Sequence, residues 1–317
     1  MVNTSGLVAT TFESILTLVV IGLVGFIIIK RKLMPEETLG FLSPLALDIA
    51  LPALVFVNII SKFDPRTYTN WYTLPLWWAG FQLFAGIMTW LCFRLAGTRV
   101  RREFAISLFY QNGMFIPIAV ITGIFGKESP HIVTLILFTL FYPSFFFSTY
   151  HLFFDTMPQK KDWRKIFNNI LIMTVIATLI KLASVSDAVP RFFTTSLSMI
   201  GGMAIPVLIL IIGGNIYVDF KHQGKLVVPE IIKFVLIKNI LFPLAMAGLL
   251  FLIRPSYEVA LMMIIQSAVP PVTAIPIVVD RAGGNRNIVN QFMVASFIAS
   301  LGTLPLVMLF FEGIIAS

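Results

Sequence analysis

The strongest constraint on this chain is a succession of apolar runs that no water-soluble fold would expose. LTLVVIGLVGFIII, residues 16–29, is the first of them. Lipid cannot hydrogen-bond a backbone, so a run that crosses a bilayer must be a helix or part of a closed barrel. These runs lack the two-residue alternation of barrel strands. Ten helical spans are read, at about 11–29, 38–60, 72–95, 104–125, 131–154, 167–186, 194–217, 230–253, 259–279 and 288–313. Composition agrees: 58% of the 317 residues are apolar and 12% charged, against about 25% charged in ordinary soluble domains. A cytosolic enzyme, a secreted disulfide scaffold and a disordered regulator are thereby excluded. The single cysteine, Cys92, leaves no disulfide framework and no multi-thiolate metal site. Residues 1–14 hold no basic residue, so the first run is expected to remain as a span rather than to be cleaved as a signal peptide.

The formal charge of +8 is read by its placement. Fifteen of the 23 basic residues follow spans 1, 3, 5, 7 and 9, among them Lys30, Arg31, Lys32, Arg94, Arg99, Arg101, Arg102, Lys160, Lys161, Lys221 and Arg286. Five lie in the opposite connections: Lys62, Arg66, Lys127, Arg191 and Arg254. Basic loops stay in the cytoplasm. The chain is therefore expected in the cell membrane with both termini extracytoplasmic, and the excess charge calls for no nucleic acid. The longest connection, Asp155–Lys165, has no room for an ATPase or sensor domain.

Two short strings recur. Ala50-Leu51-Pro52-Ala53-Leu54-Val55 resembles Ala204-Ile205-Pro206-Val207-Leu208-Ile209, and Ile116-Pro117-Ile118-Ala119-Val120 resembles Ile275-Pro276-Ile277-Val278-Val279. Their prolines lie 154 and 159 residues apart, close to half the chain. Five helices per half is an odd number, so the second half enters from the opposite face. The predicted organisation is residues 1–157 as one five-helix repeat and 158–317 as a second, inverted one, an architecture of alternating-access carriers.

Proline lacks an amide donor and clashes with the preceding turn. Span 4 carries Gln111-Asn112-Gly113 before Pro117, and span 9 carries Pro270, Pro271 and Pro276 within seven residues. Simple kinking is the alternative for each. The functional reading is that both helices break near the midplane and cross. Each break makes a half-helix N-terminus with about half a positive charge, suited to an anion. The candidate substrate-binding residues are Gln111, Asn112, Pro117, Pro271, Thr273 and Pro276.

Polar groups inside spans are functional candidates. Asp48 lies one turn before Pro52, where it supports a break, takes a coupling proton or pairs with a lysine. Lys238 is its candidate partner or a counter-charge for substrate. Asn58, Asn215 and Gln266 complete the coupling or supporting set. No HExxH, Walker loop, GxSxG elbow or intramembrane aspartate pair is present, so neither catalysis, nor a cofactor, nor a metal is expected.

QSAVPPVTAIPIVVDRAGGNRNIVNQFMVASFIASLGTLPL in spans 9 and 10 resembles the C-terminal signature of the auxin efflux carrier family. LDIALPALVFVNIIS and GGMAIPVLILIIGG resemble its second and seventh spans. The resemblance covers nearly the whole chain. It implies an all-α polytopic membrane protein of ten helices in two inverted five-helix repeats, with crossed, broken helices 4 and 9. It also implies transport of a small organic anion, since members include plant auxin exporters and bacterial malate or malonate permeases. The long central loop of the plant proteins is missing, which suits a compact prokaryotic type. Phe115 stands two residues before Pro117, where the family commonly has glycine, and Gln111 competes with Asn112 for the family's asparagine role. A homodimer is implied by the resemblance alone. The expected function is a secondary or facilitative carrier working by elevator-type alternating access. A sodium- or proton-coupled carrier of another solute, a channel and a transport-inactive membrane sensor are the alternatives.

Overall fold

The computed structural model describes residues 4–66, 70–126, 128–154, 169–221 and 226–315. Among them the secondary structure is helical, apart from one isolated backbone bridge between Gln111 and Pro271. The chain begins with α1 (Thr4–Lys30). The next stretch joins α2 (Thr38–Pro44), a wide π turn (Leu45–Ala50) and α3 (Leu51–Lys62). The π turn has a local cause. Pro52 has no N–H for the carbonyl of Asp48, and Asn169 Nδ2 donates to that oxygen instead at 3.0 Å. Pro75 opens α4 (Leu74–Cys92), after which α5 (Arg101–Phe109) and α6 (Phe115–Phe125) are separated by five residues. Gly126, at φ 85°, ends α6 in a conformation closed to most side chains.

Residues 131–154, expected as one helix, fold as α7 (His131–Phe138), α8 (Tyr142–Thr149) and a final 3₁₀ turn. Pro143 sits in the first turn of α8, where its missing amide costs nothing. Beyond the midpoint come α9 (Asn169–Leu182), α10 (Arg191–Gly202) and α11 (Ala204–Lys221). Then follow α12 (Val228–Val235), a second π turn (Leu236–Leu241) and α13 (Phe242–Ile253), opened by Pro243. The last elements are α14 (Tyr257–Ala268), α15 (Ile275–Arg281) and α16 (Arg286–Phe310). Asn285 caps α16, its side chain accepting from Ile288 N at 3.3 Å. The expected boundary at 157/158 and the basic residues Lys127, Lys160, Lys161, Arg164, Lys165 and Lys225 lie outside the described residues.

Each predicted interval falls on a helix or on successive helical pieces. Among the described residues, five stretches are long and apolar enough to cross a membrane by length and composition: Thr38–Lys62, Trp71–Leu95, Arg191–Val218, Val228–Ile253 and Arg286–Gly313. The intervals 104–125, 131–154 and 259–279 come in shorter pieces, α5/α6, α7/α8 and α14/α15.

Two groups of helices pack internally. One contains α1 against α11, and α3 against α9 and α10. Its backbones touch: a Cβ on Gly25 would lie 2.1 Å from Leu210 O, and one on Gly213 would lie 1.8 Å from Gly22 O. Small residues let helices approach in this way where lipid offers no hydrophobic drive. At one end of this group Lys221 Nζ donates to Glu36 Oε1 at 2.6 Å, and that bond holds the ammonium above its ordinary pKa range. The other group contains α4–α8 and α12–α16 around a core with Phe81, Phe104, Phe234, Phe242 and Phe292 fully buried. Phe234 stacks on Phe292 at 4.7 Å, and Phe104 meets both rings edge-on.

Candidate functional site

The interruptions between α5 and α6 and between α14 and α15 leave carbonyl oxygens without helical donors, and four of them take donors from elsewhere in the bundle. Pro117 cannot donate to Gly113 O, and Gln266 Nε2, from α14, donates to it at 2.5 Å. Tyr142 OH, from the start of α8, donates to Gln111 O. Between the two breaks the backbones pair antiparallel around Gln111 and Pro271. Asn112 N donates to Pro270 O at 2.8 Å, and Val272 N donates to Tyr110 O at 3.0 Å. Four carbonyls inside the bundle are thus satisfied by protein groups, as apolar surroundings demand.

Asn112 has a second role. Its Oδ1 accepts from Phe115 N at 3.2 Å and from Ile116 N at 3.4 Å, so it caps the N-terminus of α6. That geometry fixes which side-chain atom is oxygen. The remaining amide, Nδ2, is buried and has no protein partner among the described residues. Two N–H donors are therefore left beside the positive end of an 11-residue helix.

Asn112 lines a cavity of about 300 Å³ between the two helix groups. One wall carries Ser43, Leu47 and Asp48 from α2 and its π turn, Asn169 and Ile170 from α9, and Leu208 and Asn215 from α11. The opposite wall carries Asn112, Gly113, Met114, Phe115, Tyr142, Phe146, Thr273 and Ala274. The volume reaches the lower end for small-ligand sites, and an apolar lining with a few convergent polar groups is typical of them. An adjoining crevice of about 280 Å³ lies among α1, α11, α6 and α16, which also touch one another around it, and Ser300 is its one polar lining side chain.

The candidates from sequence divide accordingly. Asn112, Thr273, Asp48 and Asn215 meet at this cavity. Gln111 is fully buried behind it, neither of its side-chain amide atoms has a partner among the described residues, and its carbonyl is held by Tyr142. Pro271 forms the backbone bridge. Pro117 and Pro276 lie in the first turns of α6 and α15 and shape the breaks without lining the cavity. Gln266 supports the break from behind. Asn58 donates to Leu54 O at 2.8 Å within its own helix. Lys238 is fully buried in the second π turn, with Nζ 3.3 Å from Ser267 O and 4.6 Å from the Phe242 ring centroid. It lines no part of this cavity. Asn169 and Ser43 were not singled out in the sequence; the missing donor at Pro52 was the available signal for the first.

A family model described as a membrane transport protein matches residues 10–162 and 153–308. A search of curated proteins gives no match.

Proposed function

The chain belongs to the membrane transport protein family, the grouping of the auxin efflux carriers, and on that premise we propose that it carries a small organic anion through the cavity between its helix groups. The observation that carries the anion reading is Asn112. Its oxygen is committed to capping α6, which leaves two amide N–H donors without a protein partner among the described residues beside that helix N-terminus. A carboxylate accepts from the Asn112 amide and is favoured by the positive end of the helix dipole. Thr273 supplies a hydroxyl from the paired break, and Phe115, Phe146 and Leu208 suit an apolar or aromatic body.

The transport cycle in this reading is an elevator movement. The helices α1–α3 and α9–α11 form the static frame, and the group bearing both breaks slides against it. The apolar crevice between α1/α11 and α6/α16 supports such sliding, because few directional bonds need to be exchanged there. Ten crossings in two inverted halves, 1–157 and 158–317, also account for the packing. Exchanging the halves maps the pair α1/α11 onto α9/α3, the pair α4/α5 onto α13/α14, and the pair α6/α7 onto α15/α16, and all of these pairs are in contact. In this arrangement the basic connections are cytoplasmic and both termini lie outside.

Proton coupling through Asp48, which lines the cavity, is the second reading. The test is counterflow in liposomes with a panel of organic acids. Uptake that saturates, and that fails in Asn112→Ala and Thr273→Ala proteins of normal purification behaviour, supports the site. Wild-type flux in both variants for every accepted acid would refute it.

A further inference from the structure

A second cavity, about 600 Å³, lies at the basic end of α4 and the start of α5, apart from the site above. Its rim holds Arg101 and Arg102, the first two residues of α5. The Arg101 guanidinium lies 5.9 Å from the Phe93 ring centroid, and its Nε has no protein partner among the described residues. Deeper in the groove Thr89 is 6% exposed, and its hydroxyl is likewise unpartnered. The wall is aromatic: Trp90, Phe93 and Phe109. Trp90 is 66% exposed, and the neighbouring outward face of α4 continues with the exposed Leu83, Ile87 and Leu91.

This is a built polar pocket that opens onto the apolar flank of the bundle. A soluble anion would use its charged end and leave the aromatic wall idle. A ligand with an anionic head and hydrocarbon tails uses both, with tryptophan at the polar boundary and basic residues beyond it. We propose that the groove binds an anionic phospholipid. Its phosphate sits at Arg101 and Arg102, a glycerol-level oxygen accepts from the Thr89 hydroxyl, and its acyl chains follow Trp90, Phe93 and Phe109. The site bears on the transport region through aromatic contacts, and Phe153, which also lines the groove, has its ring centroid 5.7 Å from that of Tyr110. Phe109 ends α5, and its ring centroid lies 4.7 Å from that of Tyr110, the first residue of the break that leads to Asn112.

Native mass spectrometry of the delipidated protein, titrated with phosphatidylglycerol or with phosphatidylethanolamine of matched chains, tests this without any transport readout. Wild type retains phosphatidylglycerol preferentially. Arg101→Gln/Arg102→Gln weakens that retention by about tenfold to thirtyfold, the scale of two basic contacts to an anionic headgroup. Thr89→Val weakens it at unchanged charge, and Lys30→Gln/Arg31→Gln leaves it intact. Equal retention of the two lipids, an equal loss in the Lys30/Arg31 control, or displacement by inorganic phosphate would overturn the proposal; the last would make this a soluble-anion site. Should the double arginine variant not fold, Trp90→Ala decides while keeping both charges: lost retention supports the lipid, wild-type retention overturns it.

Discussion

Replacing Gln266 by leucine tests the idea that the broken helices are held by side-chain donors. The Gln266 amide donates to Gly113 O at 2.5 Å, and Gln266 is fully buried. Leucine keeps most of the volume and removes the donor. Pro117 has no N–H to take its place, so Gly113 O is left unsatisfied. In water-soluble proteins an orphaned buried group costs about 1–3 kcal/mol. Interhelical hydrogen bonds in membranes measure lower, about 0.6 kcal/mol on average and 1.7 at most. The substitution also removes Gln266 Oε1, a buried acceptor with no partner among the described residues, which offsets part of the loss. The expected destabilisation is therefore about 1 kcal/mol, or roughly 1–2 °C in Tm for a chain of 317 residues. Gln82 on α4 provides the contrast: it is buried, and neither of its side-chain amide atoms has a partner among the described residues. Gln82→Leu orphans nothing, so its Tm should be unchanged or higher. Thermal unfolding of both variants in one detergent, followed by tryptophan fluorescence, gives the comparison. An unchanged Tm in Gln266→Leu, or an equal fall in Gln82→Leu, would refute the reasoning.

Asn112→Asp keeps an oxygen cap on α6 but removes the amide donors and adds negative charge. Its Tm should stay near wild type while anion binding, read by isothermal titration, falls more than tenfold; Asn112→Ala should lose binding and also about 1 kcal/mol of stability. Gly213→Ala places a methyl 1.8 Å from Gly22 O, on a contact between two helix backbones. The helices must separate, and a loss of about 1–3 kcal/mol should appear as a lower Tm and weaker recovery from size-exclusion chromatography. Asp48→Asn should flatten the pH dependence of liposome flux while flux itself persists; an unaltered pH profile would remove Asp48 from coupling.

Proline made much of this fold readable in advance. Pro117, Pro270, Pro271 and Pro276 marked both breaks, because a missing amide cannot be concealed by packing. The repeated Leu-Pro and Ile-Pro strings fall on α3 and α11 and on α6 and α15, one of each pair in each stretch that the family model matches. Pro143 carried the same signal for the interruption at Thr139–Phe141, but one proline in an otherwise apolar run also fits a simple kink. The partners that close the breaks were illegible. Gln266 meets Gly113 across 153 positions, and Tyr142 reaches Gln111 across 31. No local pattern specifies such pairs, since each depends on where a distant helix comes to rest. Lys238 is a case where position was legible and partner was not: its Nζ lies outside the cavity, against an aromatic ring and Ser267 O, the carbonyl that Pro271 leaves without a helical donor.

The glycine seam between α1 and α11 also sets a schedule for biosynthesis. Gly25 leaves the ribosome 188 residues before Gly213. At synthesis rates of about 5–20 residues per second, the first helix waits roughly 10–40 s for the surface it packs against. During that interval its bare backbone stripe faces lipid or the insertion machinery, open to any other small-residue helix nearby. Completion of the frame is therefore a late event in membrane insertion. A nascent chain stalled before residue 204 has α1 in place with nothing of α11 to receive it.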